Sequence, residues 1–508
     1  MLYVKDLSIY LKKDNKKIIE NLNFSLDEGD KIAVIGKEGN GKSTLLKAIY
    51  NKELIKDFAE IDGKVFNKNE IIFYLPQDLN DDMFIDKSAK ELLHNFIPYE
   101  MFDYNLYFKY LNYFDLDYDL IENNSNFSKL SGGEKIKFML VIGMMKNPTL
   151  ILLDEPSNDL DIFSKETLKN FINSMHTPIL FISHDVNLLK NTANGIVHLE
   201  ILPNGSTRNT VEKIPYEEYV EKRDNLIYRQ TKQAKKEKEE FDKQMKVFRM
   251  VKDKVQHRLR NTKAAPVGKN LKDKMRSIKS MEKRFDNKKS SITKIPILEN
   301  EIKLDFSNEV GLYNKKEIID LNIEKLEIER NTLSKDISLN IKAKDKICII
   351  GKNGSGKSTL LKLIVKNLED AGVKYFYMPQ NYKEEIDLEV SAIEILSIKY
   401  DKDEFTKIGN ILGALGYDRE EMLRPISTLS GGQICELYFT KMVLGDYDFL
   451  ILDEPTRNLS PLSLKNIQKS LGQFNGGILA VSHDEEFIKL VFDQVYQLNE
   501  KGLELVDF

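Results

Sequence analysis

Apolar residues follow two different patterns along this chain. In the first, runs of four apolar residues stop at glycine, acid or serine. Ile32-Ala33-Val34-Ile35 precedes Gly36, Leu150-Ile151-Leu152-Leu153 precedes Asp154, and Ile179-Leu180-Phe181-Ile182 precedes Ser183. Runs this short predict strands of a parallel sheet buried on both faces. Phe449 to Leu452, ahead of Asp453, repeats the second of them. The N-terminal stretch MLYVKDLSIYLKK also reads as a strand. In the second pattern, no proline or glycine occurs from Tyr216 to about Leu259, and strong helix formers dominate. There Phe241, Met245, Phe248, Val251 or Lys252, Val255 and Leu259 recur at helical spacing and predict one apolar seam. Pro266 and Gly268, within Asn261 to Asn270, interrupt it. A second seam follows through Leu271, Met275, Ile278, Met281 or Glu282, and Phe285. Two seams about a turn predict an antiparallel helical hairpin, with helices of roughly 60 and 30 Å.

Charge sharpens this picture. The 508 residues carry a net charge of −4. Tyr216 to Ser290 alone holds 24 Lys/Arg and 12 Asp/Glu, a net of +12, so the remainder sums to −16. From Met245 to Ser290 there are 16 basic and 4 acidic residues. The excess gathers toward the turn at Arg258, Arg260, Lys263, Lys269, Lys272, Lys274 and Arg276. A mere spacer would balance its signs. This density predicts contact with a polyanion, with affinity falling steeply as salt rises. No base-reading motif is visible, which favours recognition of shape and backbone.

Other bulk features narrow the class. The length allows two to four domains, and 41% hydrophobic with 31% charged residues suits a globular chain. No apolar run is long enough to span a bilayer, and the N-terminus lacks the layout of a secretory signal. Cys348 and Cys435 are expected to be buried thiols, which fits a reducing cytoplasm. Six scattered histidines without cysteine partners argue against a zinc site.

The candidate chemistry begins at Gly36. Gly36, Lys37, Glu38, Gly39, Asn40, Gly41, Lys42, Ser43 and Thr44 form G-x-x-x-x-G-K-S-T between a strand and a helix, the context a phosphate-binding loop requires. The glycines let backbone N–H groups turn inward around phosphate oxygens, and the helix N-terminus adds positive charge. Lys42 would reach the β- and γ-phosphates, and Ser43 would ligate Mg²⁺. Asp154 and Glu155 stand at a strand end, where open α/β sheets bind ligands. Asp154 would hold Mg²⁺ and Glu155 would orient the attacking water. The set recurs as Gly351, Lys352, Asn353, Gly354, Ser355, Gly356, Lys357, Ser358 and Thr359, then Asp453 and Glu454. Lys42 and Lys357 are 315 residues apart, which fits a duplicated domain of about 200 residues plus a linker. The predicted architecture is α/β: two tandem P-loop domains at 1–212 and 295–508, joined by the hairpin at 213–294.

Further motifs make the resemblance specific. Ser131, Gly132, Gly133 and Glu134 in LSGGE, and Ser430, Gly431, Gly432 and Gln433 in LSGGQ, resemble the signature motif of ATP-binding-cassette (ABC) proteins. Gln77 and Gln380 resemble the Q-loop glutamines, Ser157 to Asp161 the D-loop, and His184 and His483 the switch histidines. The resemblance implies ABC-type nucleotide-binding domains that use ATP and Mg²⁺. Ser43, Gln77 and Asp154, and Ser358, Gln380 and Asp453, would surround the metal. Glu155 and Glu454 would act with His184 and His483. It also implies a head-to-tail sandwich within one chain. Site one would join Lys42, Asp154 and Glu155 to Ser430–Gln433. Site two would join Lys357, Asp453 and Glu454 to Ser131–Glu134. Tyr10 either stacks on adenine or is a plain strand aromatic, and its counterpart is Glu329. The second D-loop, TRNLSP, has Ser460 where an aspartate is usual, so the two sites are expected to be unequal.

Two cassettes fused through a basic hairpin resemble the ABC-F family of ribosome-associated ATPases. In that family the hairpin enters the vacant exit site of the ribosome and its tip reaches the transfer RNA in the peptidyl site. The Q-loop-to-signature intervals are 54 and 50 residues, so an inserted arm is expected to be absent or very short. Only 25 residues follow His483, and no C-terminal extension is expected. TRNLSP is similar to the D-loop of members from low-GC Gram-positive bacteria that protect ribosomes against lincosamides, pleuromutilins and streptogramin A. The resemblance thus implies a cytoplasmic monomer with paired cassettes and no membrane partner. It would act on the bacterial 70S ribosome through large-subunit ribosomal RNA and peptidyl-site transfer RNA. Asn261 to Asn270 has no aromatic residue and little apolar bulk beyond Val267. It is expected to dislodge drugs indirectly. A housekeeping ABC-F factor, the ATPase subunit of a membrane transporter and a non-catalytic RNA scaffold are the competing readings.

Overall fold

A computed structural model of the chain describes residues 2–508 apart from 14, 68–69, 80–86, 119–125, 203–204, 262–273, 286–292, 294–316, 329–330, 382–385, 398–399, 416 and 458. Its contacts divide into two units, Met1–Tyr216 with Glu299–Phe508, and Glu217–Leu298. The first cassette contributes β1 (Leu2–Leu11), β2 (Lys17–Leu26), β3 (Lys31–Ile35), β4 (Ala59–Phe66), β5 (Ile72–Leu75), β6 (Leu150–Asp154), β7 (Ile179–Ile182), β8 (Gly195–Ile201) and β9 (Thr207–Glu212). The second contributes β10 (Glu317–Ile328), β11 (Asn331–Lys342), β12 (Lys346–Ile350), β13 (Tyr375–Met378), β14 (Phe449–Asp453), β15 (Gly477–Val481), β16 (Gln494–Asn499) and β17 (Gly502–Val506).

The main sheets have the orders β5-β6-β7-β3-β8-β9 and β13-β14-β15-β12-β16-β17. Each is parallel except for its last, antiparallel pair. The four-residue apolar runs are the central strands, and β6, β7, β14 and β15 are buried along their whole length. Helices on a parallel sheet cover both faces, so every position of such a strand must be apolar. This order places functional residues side by side. The C-terminal ends of β3, β7 and β6 are neighbours, so the loop after Ile35, the turn at His184 and the acids Asp154 and Glu155 converge. The ends of β12, β15 and β14 bring together the matching set. A smaller antiparallel sheet, β2-β1-β4, packs its apolar face on the first core, and the β10–β11 pair does so in the second.

The second unit is built on the helix Tyr216–Asn261, 46 residues, and on a helix over 274–285. At about 69 Å the first is longer than the sequence predicts, because nothing breaks it before Asn261. Phe285 packs on Phe248 at 5.0 Å and on Phe241 at 6.1 Å between ring centres. Lys252 pairs with Glu282 at 2.6 Å. The rings and the ion pair run in opposite directions along the two helices, which makes the pairing antiparallel. They also settle the open seam positions. Lys252 and Glu282 face each other across the seam, whereas Val251 and Met281 are about half exposed at 48% and 47%. Arg258, Arg260, Lys274 and Arg276 are exposed. Lys263, Lys269, Lys272, the turn with Pro266 and Gly268, Leu271 and Glu329 lie outside the described residues. The Phe285→Ala variant is expected to lose on the order of 3 kcal/mol of local packing. Amide exchange should quicken between Phe241 and Lys252, while β3 and β6 keep their protection.

Candidate functional sites between the cassettes

Each phosphate-binding loop is shaped by glycines that hold left-handed backbone. Gly36, Gly39 and Gly41 have φ of 144°, 81° and 85°, and Gly351, Gly354 and Gly356 have 157°, 78° and 93°. At Gly36 a Cβ would lie 2.2 Å from the Leu199 carbonyl oxygen, so no side chain fits. Asn40 ties the first loop to β8 by donating to that carbonyl at 2.9 Å. Lys42 begins the helix Lys42–Tyr50, and its ammonium donates to the Gly36 and Lys37 carbonyls at 2.8 and 3.0 Å. Lys357 does the same with Gly351 and Lys352 at 3.0 and 2.9 Å. A ring of inward N–H groups around a lysine and a helix N-terminus is suited to phosphate. Thr44 and Thr359 are half-buried in the first turns of these helices, and Lys352 is exposed.

Ser43 donates to an Asp154 carboxylate oxygen at 3.0 Å, and Ser358 and Asp453 line one cavity. These hard oxygen donors fit Mg²⁺, which shares its shell with substrate phosphates and water. No cluster of three or more His, Cys, Asp or Glu that could hold a metal by itself occurs among the described residues. Burial pushes Asp154 up to about 6, against the opposing hydrogen bond from Ser43. Gln380 lines the cavity with Ser358 and Asp453. Gln77 is exposed beyond β5 and bonds to neither Ser43 nor Asp154.

Glu155 and Glu454 take positive φ, 52° and 51°, which is uncommon outside glycine. Their backbone N–H groups bond to the ends of β7 and β15, at the Ile182 and Val481 carbonyls, and this holds the strained turn. Glu155 lies 3.1 Å from His184 Nε2, and His184 Nδ1 is 2.6 Å from the carbonyl of Leu459 in the other cassette. A carbonyl only accepts, so Nδ1 carries the hydrogen and Nε2 offers its lone pair to Glu155. The pKa directions agree. Burial, partly opposed by Lys42, pushes Glu155 up to about 8, and burial with Lys42 drives His184 down to about 3. Burial thus disfavours the charged form of each group. In the second cassette the His483–Glu454 separation is 3.6 Å, and burial pushes Glu454 up to about 7 against Lys165.

The signature residues begin helices. Ser131 and Glu134 form a capping box at Gly132–Met145, and Ser430 and Gln433 form one at Gly431–Leu444. Their side chains thus satisfy each other, while the first-turn N–H groups look outward. A cavity of about 570 Å³ joins Gly132 and Lys135 to Gly354, Lys357, Ser358, Asp453, Glu454 and His483 of the other cassette. Gly133 lies beside Asn353 there. A cavity of about 400 Å³ joins Lys37, Glu38, Gly39 and Asn40 to Ser430, Gly432 and Gln433. The first cavity brings Gly132 to the site-two residues Lys357, Asp453 and Glu454, whereas the second reaches the loop from Lys37 to Asn40 and not Lys42, Asp154 or Glu155. They differ in their ties. In the first loop Glu38 accepts from the Gly432 backbone N–H, and Lys37 pairs with Glu436 at 3.1 Å. Across the other site, Asn353 and Arg457 donate to Asp159 at 2.5 and 2.6 Å. Tyr10 meets Lys17, whose ammonium is 5.5 Å from its ring centre.

Sequence reasoning placed Glu38 in the loop but not its reach across the interface, and it missed Lys37–Glu436, Arg457–Asp159 and Lys165. Glu38 had a signal, since the matching position of the repeat holds Asn353.

Residues 19–158 and 334–457 match the family described as ABC transporter. The chain belongs to the ABC transporter family. Its two ABC cassettes are of the ATPase kind that uses ATP with Mg²⁺. ATP-binding cassette sub-family F member 3 of Mus musculus is 28% identical over 72% of this chain and 50% of its own, so this chain spans about half that relative's length. Ribosome protection protein VmlR of Bacillus subtilis is 28% identical over 97% of this chain and 86% of its own. The archaeal ribosome recycling factor aABCE1, solved with the ribosomal stalk protein aP1, shares the fold at a TM-score of 0.60 and 17% identity, over 98% of this chain and 89% of its own.

Glu38→Asn is expected to tighten nucleotide binding at site one by roughly tenfold, because a carboxylate no longer occupies N–H groups that a phosphate needs. Titration with a fluorescent ATP analogue, in the presence of Mg²⁺, checks this. Unchanged affinity would show that Glu38 does not compete.

Proposed function

We propose that this protein is an ABC-F ATPase that acts on the bacterial 70S ribosome. Its basic hairpin contacts large-subunit ribosomal RNA and the peptidyl-site transfer RNA from the exit site, and this dislodges bound antibiotics. The observation that carries the reading is the match to a ribosome protection protein over 97% of the chain, hairpin included. The net charge of +12 from Tyr216 to Ser290 supports it, since a polyanionic partner is what that charge suits. Arg258, Arg260, Lys274 and Arg276, on the described helices, would meet phosphates, as would Lys263, Lys269 and Lys272.

In this reading each ATP lies between one phosphate-binding loop and the opposite signature helix. Lys42 and Lys357 draw the phosphates in, and the first-turn N–H groups at Gly132 and Gly431 close on the γ-phosphate. Ser43 and Asp154, or Ser358 and Asp453, would hold Mg²⁺, which would neutralise charge on the phosphate oxygens. Glu155 and Glu454, ionised once nucleotide and metal are bound, would orient water against the γ-phosphorus and accept its proton, while His184 and His483 stand beside them and position the carboxylates. The water–phosphorus bond forms as the bond to the β-phosphate oxygen breaks, which leaves ADP and phosphate. The bridge between cassettes is then gone and the closed state loses its differential stabilisation.

The Glu155→Gln, Glu454→Gln variant should pellet with 70S ribosomes in ATP and should release as salt rises. Expression of the wild-type chain in a susceptible host should raise tolerance to lincosamides, pleuromutilins and streptogramin A. Failure to pellet would sink the ribosome reading. Pelleting with unchanged drug tolerance would leave a housekeeping ABC-F factor instead.

A further inference from the structure

We infer that Lys165, a residue of the first cassette, is a positioning residue for hydrolysis in the site of the second. It stands in the helix Ile162–Ser174, one turn beyond the capping Asp161. Its ammonium pairs with Asp185 of its own cassette at 2.8 Å and donates to the His483 carbonyl of the other at 3.0 Å. It lines the cavity that holds Lys357, Glu454 and His483. No nucleotide-binding motif contains it. The matching position of the second cassette is Leu464, buried and unable to donate.

The reason lies in how each histidine is held. At site one the His184 ring is fixed directly, by the Leu459 carbonyl across the interface. At site two the ring has no such hold, for His483 Nδ1 is buried without a hydrogen-bond partner among the described residues. What is held there is the backbone. The His483 N–H donates to Glu454 at 3.4 Å, and its carbonyl accepts from Lys165. The peptide groups on both sides of the residue are therefore pinned, one by the proposed catalytic glutamate and one by the opposite cassette. A second cross-cassette pair, Lys190 with Glu486, fastens the short helices that follow the two histidines. A lysine that served only to tie the cassettes together would need Asp185 and any acceptor. This one takes the main chain of the histidine itself, in the wall of the cavity. Cassette one thus sets the aim of His483 through its backbone whenever the pair is seated, whereas site one takes its hold from the other cassette at the ring, through Leu459.

The inference rests on the cassettes hydrolysing ATP and is independent of the ribosome as partner. The test is vanadate trapping of a photoreactive azido-ATP in the full chain, with label assigned to each cassette after proteolysis. In Lys165→Leu, which copies Leu464, label on the second cassette should fall roughly tenfold relative to the first, the loss of one charge-assisted hydrogen bond. Lys165→Arg should restore the ratio, and KM for ATP should change less than kcat. An unchanged ratio, equal loss in both cassettes, or failure of Arg to restore it would overturn the inference. Absence of trapping in the unaltered chain would instead count against the ATPase reading.

Discussion

The backbone N–H groups in the first turn of a helix have no partner within that helix. In this chain four such turns face one another in two pairs: those at Lys42 and Lys357 after the phosphate-binding loops, and those at Gly132 and Gly431 in the signature motifs. Each pair presents donors and positive helix ends from both sides, so each wants an anion between. The parallel sheets exist, in functional terms, to hold these ends in place. Their strand order puts loop, acid pair and histidine on three adjacent strand ends.

The two interfaces meet this demand differently. At site one a protein carboxylate, Glu38, reaches the signature N–H of the partner cassette, and the paired Lys37 and Glu436 lie beside it. At site two the corresponding residue is Asn353, which instead grips Asp159, and the cavity reaches Lys357 and Glu454. A signature helix that already holds a carboxylate is a poorer receptor for phosphate than one that faces an open cradle. The inequality that the altered D-loop suggested from sequence is therefore physical, and it extends beyond that loop.

Much of this was legible in the sequence because the constraints are local. A four-residue apolar run before Gly36 or Asp154 can hardly be other than a central strand, and the loop, signature and histidine motifs fix their own neighbourhoods. The hairpin seam was also legible, up to a choice between Val251 and Lys252 that sequence left open. Lys252 wins because Glu282 opposes it, and that pairing depends on the register of a second helix. The cross-cassette contacts were not legible for the same reason. Glu38, Arg457 and Lys165 are ordinary exposed-type residues within their own repeats, and only docking of one cassette on the other gives them partners. Gln77 and Gln380 are both exposed, and Gln380 also lines the cavity beside Ser358 and Asp453.

The central claim is that each nucleotide site is completed by the opposite cassette. The most direct measurement is occlusion of radiolabelled ATP in the Glu155→Gln, Glu454→Gln background, mapped by cassette, after Ser430→Arg is added. The account predicts loss of the nucleotide held by the first cassette's loop, at Lys42, with that at Lys357 retained. Loss at Lys357 with retention at Lys42 would contradict it.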